Sequence, residues 1–420
     1  MFSKWRRAVL LVLCLVLPAA AEDWPQWRGP GRTAHVPSSS RMPAKLSAEP
    51  KVMWHTKIGE GLASPVVASG KVIYLDHQRG KEVVHAVSAD TGNAMWEVPL
   101  DDAFKDSQGP VGPRCTPMVN EDFVYAQSCR GELQCLSLKV GKQIWRANYQ
   151  KDFGSVFIGE KGQAQGASRH GYDGAPVIDG NKLFALAGGT NGAGIVCFDK
   201  RSGKVLWKSQ NDAAAYAPPI VATLKGAKQL VAYTADSLLG VGLETGNLLW
   251  RIPLKTTFAR HVTTPVVIGD SVYVASHEFG LVRARISEAG GKFRVDKEWT
   301  SKEAAFNFAS PVAIGKCLYG VGPSKNLICV DGEKGRVNWS REGYFNTAAG
   351  KAWAALLVLK ENLLMLTDGG QLLLLAPSPS EVQEIGRAQV CGANWCYPAY
   401  ADGKLYLRDA RELICVSLVE

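Results

Sequence analysis

The chain has 420 residues, a formal net charge of +9 and charged side chains at 21% of its positions, a length that by itself suggests two or three domains. The charge is spread rather than clustered, so no stretch forms a nucleic-acid footprint. Beyond the N-terminus no segment is apolar and long enough to span a bilayer, which takes about 20 residues, so the sequence predicts neither a nucleic-acid partner nor a transmembrane anchor.

The first 21 residues have the three parts of a cleaved export signal: Lys4, Arg6 and Arg7, an apolar run over 8–17, and Ala19, Ala20 and Ala21 after Pro18. Cutting after Ala21 removes three basic residues and no acidic one, which leaves a net charge of +6. Cys14 lies inside the apolar run behind Leu13, where lipid attachment requires a small residue. The expected location is therefore periplasmic or secreted. Residues 22–51 follow as an arm that opens "DWPQWRGPGR"; Trp24 and Trp27 are expected to pin it to the surface of the folded domain over a blade seam, with Pro25 and Pro30 limiting its freedom, and an arm that contacts a ligand is the alternative.

From residue 52 to 420 the chain repeats itself. Five times a glycine stands four residues before a tryptophan, in "TGNAMW", "VGKQIW", "SGKVLW", "TGNLLW" and "KGRVNW", ending at Trp96, Trp145, Trp207, Trp250 and Trp339; Trp54 and Trp299 continue the series without the glycine. Ahead of each comes a proline, an apolar run, a turn and a Val/Leu/Tyr stretch, as in "SPVVASGKVIYL" from Ser64 and "TPVVIGDSVYVA" from Thr264. Pro219 opens a looser copy, and "AALLVLKENLLMLT" from Ala354 is a copy without the proline, which makes eight units. Four short strands per unit, separated by turn residues, predict an all-β, eight-bladed β-propeller of four-stranded antiparallel blades. The tryptophans dock one blade on the next. The last unit ends after three strands, so the stretch around Trp54 is expected to close the ring as its outer strand.

The pattern "AVSADTGNAMW" resembles the tryptophan-docked repeats of the pyrroloquinoline quinone (PQQ)-like propeller superfamily, and the resemblance covers nearly the whole mature chain. That superfamily includes quinoprotein alcohol dehydrogenases and BamB-type outer-membrane assembly lipoproteins. "DWPQWRGPGR", "GPRCTP" and "KDFG" followed by "GYDGAP" look closer to a branch of exported bacterial PQQ-like repeat proteins. The dehydrogenases hold PQQ against a disulfide of adjacent cysteines and carry a calcium site and a catalytic aspartate. This chain has no Cys-Cys pair and no matching loops. The resemblance therefore implies the fold, with no cofactor expected, no metal site and no catalytic residue assigned; PQQ-dependent oxidation of an alcohol or sugar is the alternative reading.

Nine cysteines remain after cleavage. Cys135, Cys197, Cys329 and Cys415 align in third strands with Ala86, Gly242 and Ala284, a small core position, so they are expected to be packing residues. Cys115 with Cys129, and Cys391 with Cys396, are the candidate disulfides. Cys317 is unpaired.

Propeller sites commonly lie at a mouth of the central channel. The residues just upstream of each inner strand are Arg114; His170, Tyr172 and Asp173; Tyr216; Arg260 and His261; Asn307 and Phe308; Asn394 and Trp395; with Trp353 at the equivalent place in the proline-less unit. These groups are expected to converge on one rim as a ligand cleft. The long glycine-rich loop over 149–173 ends on the same rim. The functional expectation is a non-catalytic binding or scaffold protein for a partner protein or an envelope or extracellular polymer such as a polysaccharide, with a BamB-like scaffold as a further alternative.

Overall fold

The computed structural model describes residues 23–306, 308–345 and 352–419. Within them a short strand starts directly after the proline of each repeat: Val66–Ala68 after Pro65, Met118–Asn120 after Pro117, Ala399–Ala401 after Pro398. Proline has no N–H to give a neighbour, so it fits the start of an edge strand. Each of these strands is the innermost of an antiparallel sheet, and there are eight such sheets, at 66–102 (blade 1), 118–148, 177–209, 220–253, 266–301, 312–341, 354–389 (blade 7) and 399–417 (blade 8). Inner strands touch at most of the junctions between neighbouring blades, including that of blades 8 and 1, where the first sheet meets the last and closes the ring.

The closure is the expected one. Lys51–Lys57 pairs antiparallel with Glu412–Ser417, setting His55 opposite Ile414, and becomes the fourth strand of blade 8. The signal segment, 1–21, lies outside the described residues.

Tryptophan docking holds at six of seven positions. Trp54, Trp96, Trp145, Trp207, Trp299 and Trp339 each donate their indole N–H, at 2.9 to 3.1 Å, to a main-chain carbonyl of the next blade: Ala89, Leu138, Lys200, Leu243, Glu333 and Ser378. In most of them a turn glycine of that next blade lies flat on the ring; a Cβ on Gly203 would come within 2.6 Å of Trp145, at φ +72. Trp250 departs from the pattern. Its indole turns onto its own sheet, over Gly240, and donates to Gln229 Oε1 at 2.6 Å. Blade 5 offers it no turn glycine of that kind, because its third and fourth strands run on as the long hairpin Gly280–Ala289 and Lys292–Ser301.

Across from the tryptophans stand Cys135, Cys197, Cys329 and Cys415, all buried, as the packing reading requires. Ala86 fills that place in blade 1, but in blades 4 and 5 it belongs to Gly240 and Arg283 rather than Gly242 and Ala284. A bulge follows the pairing at every one of these tryptophans and shifts the count.

Neither candidate disulfide is formed, and all nine cysteines among the described residues are free thiols. In blade 2 Met118 pairs with Tyr125, a register that carries Cys115 opposite Ser128, one residue short of Cys129. A one-residue offset sends side chains to opposite faces. Cys115 instead faces Gln127 Nε2 at 3.5 Å, and Cys129 donates to Gly112 O at 3.4 Å. Cys396 is held by Asn394, whose Oδ1 accepts its backbone N–H at 2.8 Å, while Cys391 stays half-buried on the other side of the intervening loop.

The arm is where the structure departs most from the surface reading. It enters the central channel. Asp23 accepts from the backbone N–H of Ser69, in the turn on the face away from the proline ends. Trp24 then pairs with Val67 of blade 1, and Pro25 O accepts from Val119 of blade 2. Further in, Arg32 donates to the carbonyls of Ala175, Pro176 and Pro219 at the heads of blades 3 and 4, Trp27 to Thr264 of blade 5 at 2.9 Å, and Arg28 to Pro311 O of blade 6 at 2.6 Å. His35–Val36 finally leaves as an extra strand parallel to Ala354–Leu359 of blade 7, back toward the face it came from. Inner strands are sheet edges with unpaired carbonyls. The arm satisfies those carbonyls and plugs the ring.

Candidate functional site

The heads of the inner strands share one face, and the plug stops short of it, so the rim encloses a hollow with the arm as its floor. Trp27 forms that floor: its ring lies 4.6 Å from that of Tyr397, which meets Trp353 edge-on at 5.5 Å. Around it stand Arg114, His170, Asp173, Tyr216, Arg260 and Trp395, lining a pocket of about 160 Å³. A second cavity of about 290 Å³ runs outward from it and shares Leu62, Gln108 and Trp395. With Phe308, eight of the predicted rim residues thus converge although they span 114 to 395 in sequence.

Four do not belong to the pocket lining. Tyr172 is buried and donates its hydroxyl to Ala187 O at 2.7 Å. His261 is buried against Tyr233, ring to ring at 4.3 Å, with Nδ1 at 2.6 Å from Thr234 O. Burial lowers its pKa to about 4, so it is a neutral core side chain. Asn394 faces the adjoining cavity but is committed to Cys396. Asn307 lies outside the described residues.

The long loop over 149–173 contains two helical turns, Tyr149–Phe153 and Ala167–His170, where the sequence suggested only loop. Tyr149 and Phe153 anchor the first in the blade 2 to blade 3 core, and the second presents His170 to the rim. There His170 Nδ1 meets Asp106 at 2.8 Å, and Arg114 grips both oxygens of the same carboxylate at 2.6 and 2.8 Å. Burial opposes the charge on Asp106, but His170 and Arg114 outweigh it and hold the carboxyl well below the usual carboxylate range. Glu160 comes near as well, bonded to Ser107, so Asp106, Glu160 and His170 bring their ligand atoms within 4.8 Å of one another. With Arg114 occupying Asp106, this knot is an ion-pair network that fixes the rim.

The reactive edge of the pocket is elsewhere. Among the described residues Asp173 accepts no hydrogen bond and the guanidinium of Arg260 donates none. Burial pushes the Asp173 carboxyl up to about 6 against the pull of Arg114. The hollow therefore combines an unpaired carboxylate, an unpaired guanidinium and several aromatic faces, Trp353, Trp395, Tyr216 and Trp27, a set suited to a ligand carrying both charges and an apolar group. Arg260 is its one unpaired cation among the described residues, and Asp173 faces the same space.

Trp27 enters the site through the arm's alternative, ligand-contacting role, while Asp106, Leu62 and Gln108 were not among the expected residues. Trp27 carried a signal, an aromatic beside two prolines in an arm with no strand pattern; Asp106 sits in an outer connection with nothing to mark it.

The family model described as outer membrane protein assembly factor BamB matches residues 38–167 and 80–341. The chain is 24% identical over 279 residues to outer membrane protein assembly factor BamB of Shewanella oneidensis, covering 62% of this chain and 65% of that one. It is 24% identical over 254 residues to the protein of that name from Yersinia pestis, covering 59% of this chain and 57% of the relative. The matches thus span less than two thirds of either relative. The crystal structure of BamB from Moraxella catarrhalis superposes with a TM-score of 0.60 at 13% identity, over 88% of this chain and all of that one. The last comparison bears on fold alone.

Proposed function

The chain belongs to the PQQ-repeat propeller family described as outer membrane protein assembly factor BamB, and on that premise we propose that it is an exported, non-catalytic scaffold that holds a segment of a partner protein in the cell envelope at the rim of its channel. The observation that carries this reading is the pocket over Trp27, where Asp173, Arg260, Trp353 and Trp395 stand together. An extended peptide segment offers cations, carboxylates and apolar side chains in one chain, and such a pocket engages all three. The rest of the rim supports presentation rather than chemistry. Its strongest charges, Arg114 and Asp106, are spent on each other, and a buried pair positions groups without offering a proton to a substrate.

A photo-crosslinking residue in place of Trp395, introduced in the organism that makes the protein, tests the proposal. Adducts with an outer-membrane assembly component, lost on adding Arg260→Ala, are the expected result. Adducts with glycan alone, or saturable PQQ binding by the purified protein with substrate-dependent dye reduction, would overturn it.

A further inference from the structure

A second surface lies on the outer edge of the ring, at the turns between third and fourth strands. Those turns are on the face opposite the rim, because each blade's strands alternate in direction from the proline end. At most of them the residues just before the tryptophan are apolar and open to solvent: Met95 in blade 1, Ile144 in blade 2, Leu206 in blade 3, Leu248 in blade 4. Their charged neighbours differ. Blade 1 reads "ADTGNAMWE" and blade 4 "ETGNLLWR", with acids at Asp90, Glu97 and Glu244. Blades 2 and 3 read "KVGKQIWR" and "KRSGKVLWK", with no acid in either stretch.

These two stretches are one surface. Trp145, in the first, donates to the carbonyl of Lys200, in the second, at 2.9 Å, and Gly203 covers its ring. On this surface Val140 is 59% exposed, Ile144 46% and Leu206 42%, while Lys139, Lys142, Lys204 and Lys208 are exposed and make no ion pair among the described residues. Of the acids beside it, Glu121 is engaged by Lys200 and Arg201, both at 2.8 Å, and Asp199 by Ser202, while Asp122, whose carbonyl accepts from Leu138, is exposed and makes no ion pair among the described residues, so the four free lysines outnumber the one free acid. Apolar side chains interleaved with unpaired lysines are the arrangement that rests in the headgroup layer of an anionic bilayer, apolar groups inserted and ammonium groups among the phosphates. A soluble acidic partner would use the lysines and leave Val140, Ile144 and Leu206 in water.

We infer that the outer edge of blades 2 and 3 docks on an anionic phospholipid surface, with the rim turned away from the membrane and free to hold its partner. The inference does not depend on what the rim binds.

Co-sedimentation of the full chain with vesicles of phosphatidylcholine, with and without a quarter of phosphatidylglycerol, tests it. Binding to the anionic vesicles should exceed binding to the neutral ones and fall as salt rises. Replacing Lys139, Lys142, Lys204 and Lys208 by Gln should weaken partition about fivefold for each lysine. Val140→Ser with Leu206→Ser, at unchanged charge, should weaken it about tenfold. All six positions are on the surface, so melting should not move, and every variant keeps the same N-terminus, so any contribution from the leader cancels. Equal sedimentation of wild type and both variants would overturn the assignment. So would equal capture by dextran sulfate with loss in the lysine variant only, which would make the patch a site for soluble polyanions.

Discussion

Trp24 and Val67 exchange two backbone hydrogen bonds, at 2.8 and 2.9 Å, so the start of the arm is stitched to an inner strand of the ring. With the Trp24 ring 1% exposed and packed on Gly29, Trp24→Ala should cost about 3 to 5 kcal/mol in equilibrium denaturation. Arg32→Lys keeps the charge but has no fork to span the carbonyls of Ala175, Pro176 and Pro219, and should cost about 1 to 3 kcal/mol. Variants that melt like the parent would mean that the arm does not occupy the channel in solution.

The docked tryptophans are weaker than their number suggests. Trp207 is only partly buried, so Trp207→Ala should cost less than Trp24→Ala, about 1 to 3 kcal/mol. Its partner is the sharper probe. A Cβ on Gly246, at φ +71, would lie 2.6 Å from the Trp207 ring, so Gly246→Ala should be at least as damaging as loss of the ring itself. A melting point for Gly246→Ala equal to the parent's would place the ring elsewhere.

The blades were legible because each repeats the same local instructions: a proline that must start an edge strand, a glycine that only a tight turn requires, a tryptophan that needs a flat partner. The closing strand followed from counting, since three strands at one end and one at the other leave a single arrangement without edges. The rim followed from the repeat as well, because equivalent positions in a ring share a face. What repetition does not encode was missed. Arg32 bonds to main-chain carbonyls, which have no sequence signature, so nothing distinguished a plug from a surface arm. Trp250 shares its motif with Trp207 yet turns inward, because its conformation depends on the next blade's turn. Tyr172 and His261 occupy rim positions by count, but their side chains point into the core.

Glu82 is fully buried between blades 1 and 2, accepting the backbone N–H of Cys129, and burial pushes its carboxyl up to about 7. A carboxyl whose pKa is raised on folding contributes stability in full below its unfolded value of 4.5 and loses it as pH rises through about 7. The burden at pH 8 is of order 3 kcal/mol. Glu82→Gln should therefore raise the melting temperature at pH 8 and change it little at pH 5. A stabilisation of the same size at both values would show that the carboxyl does not titrate in this window.

Arg114 and Arg260 both face the pocket but should answer mutation differently. Arg114→Ala strips Asp106 and His170 of their common partner and leaves a buried carboxylate underpaired, at a cost of about 3 to 5 kcal/mol. Arg260 has no such partner among the described residues, so Arg260→Ala should leave melting within about 0.5 kcal/mol of the parent. Calorimetry of the two variants side by side checks this, and equal losses would mean that Arg260 is structural too.

Asp173 separates binding from stability most cleanly. Burial raises its carboxyl to about 6, so folding favours the protonated form: that contribution is complete below the ordinary value of 3.8 and is lost as pH climbs through about 6. Above that pH the charged group is tolerated at a cost of about 1 to 2 kcal/mol, allowing for its contact with pocket solvent. Asp173→Asn should then stabilise the protein at pH 7.5. If the rim reads a cation on its partner, affinity should rise as pH passes upward through about 6, when the carboxylate forms, and Asp173→Asn should flatten that rise. Both readouts move together only if one carboxylate supplies the strain and the recognition. A stabilised Asp173→Asn variant that keeps the parent's pH profile would assign the strain to Asp173 and the recognition to another group on the rim.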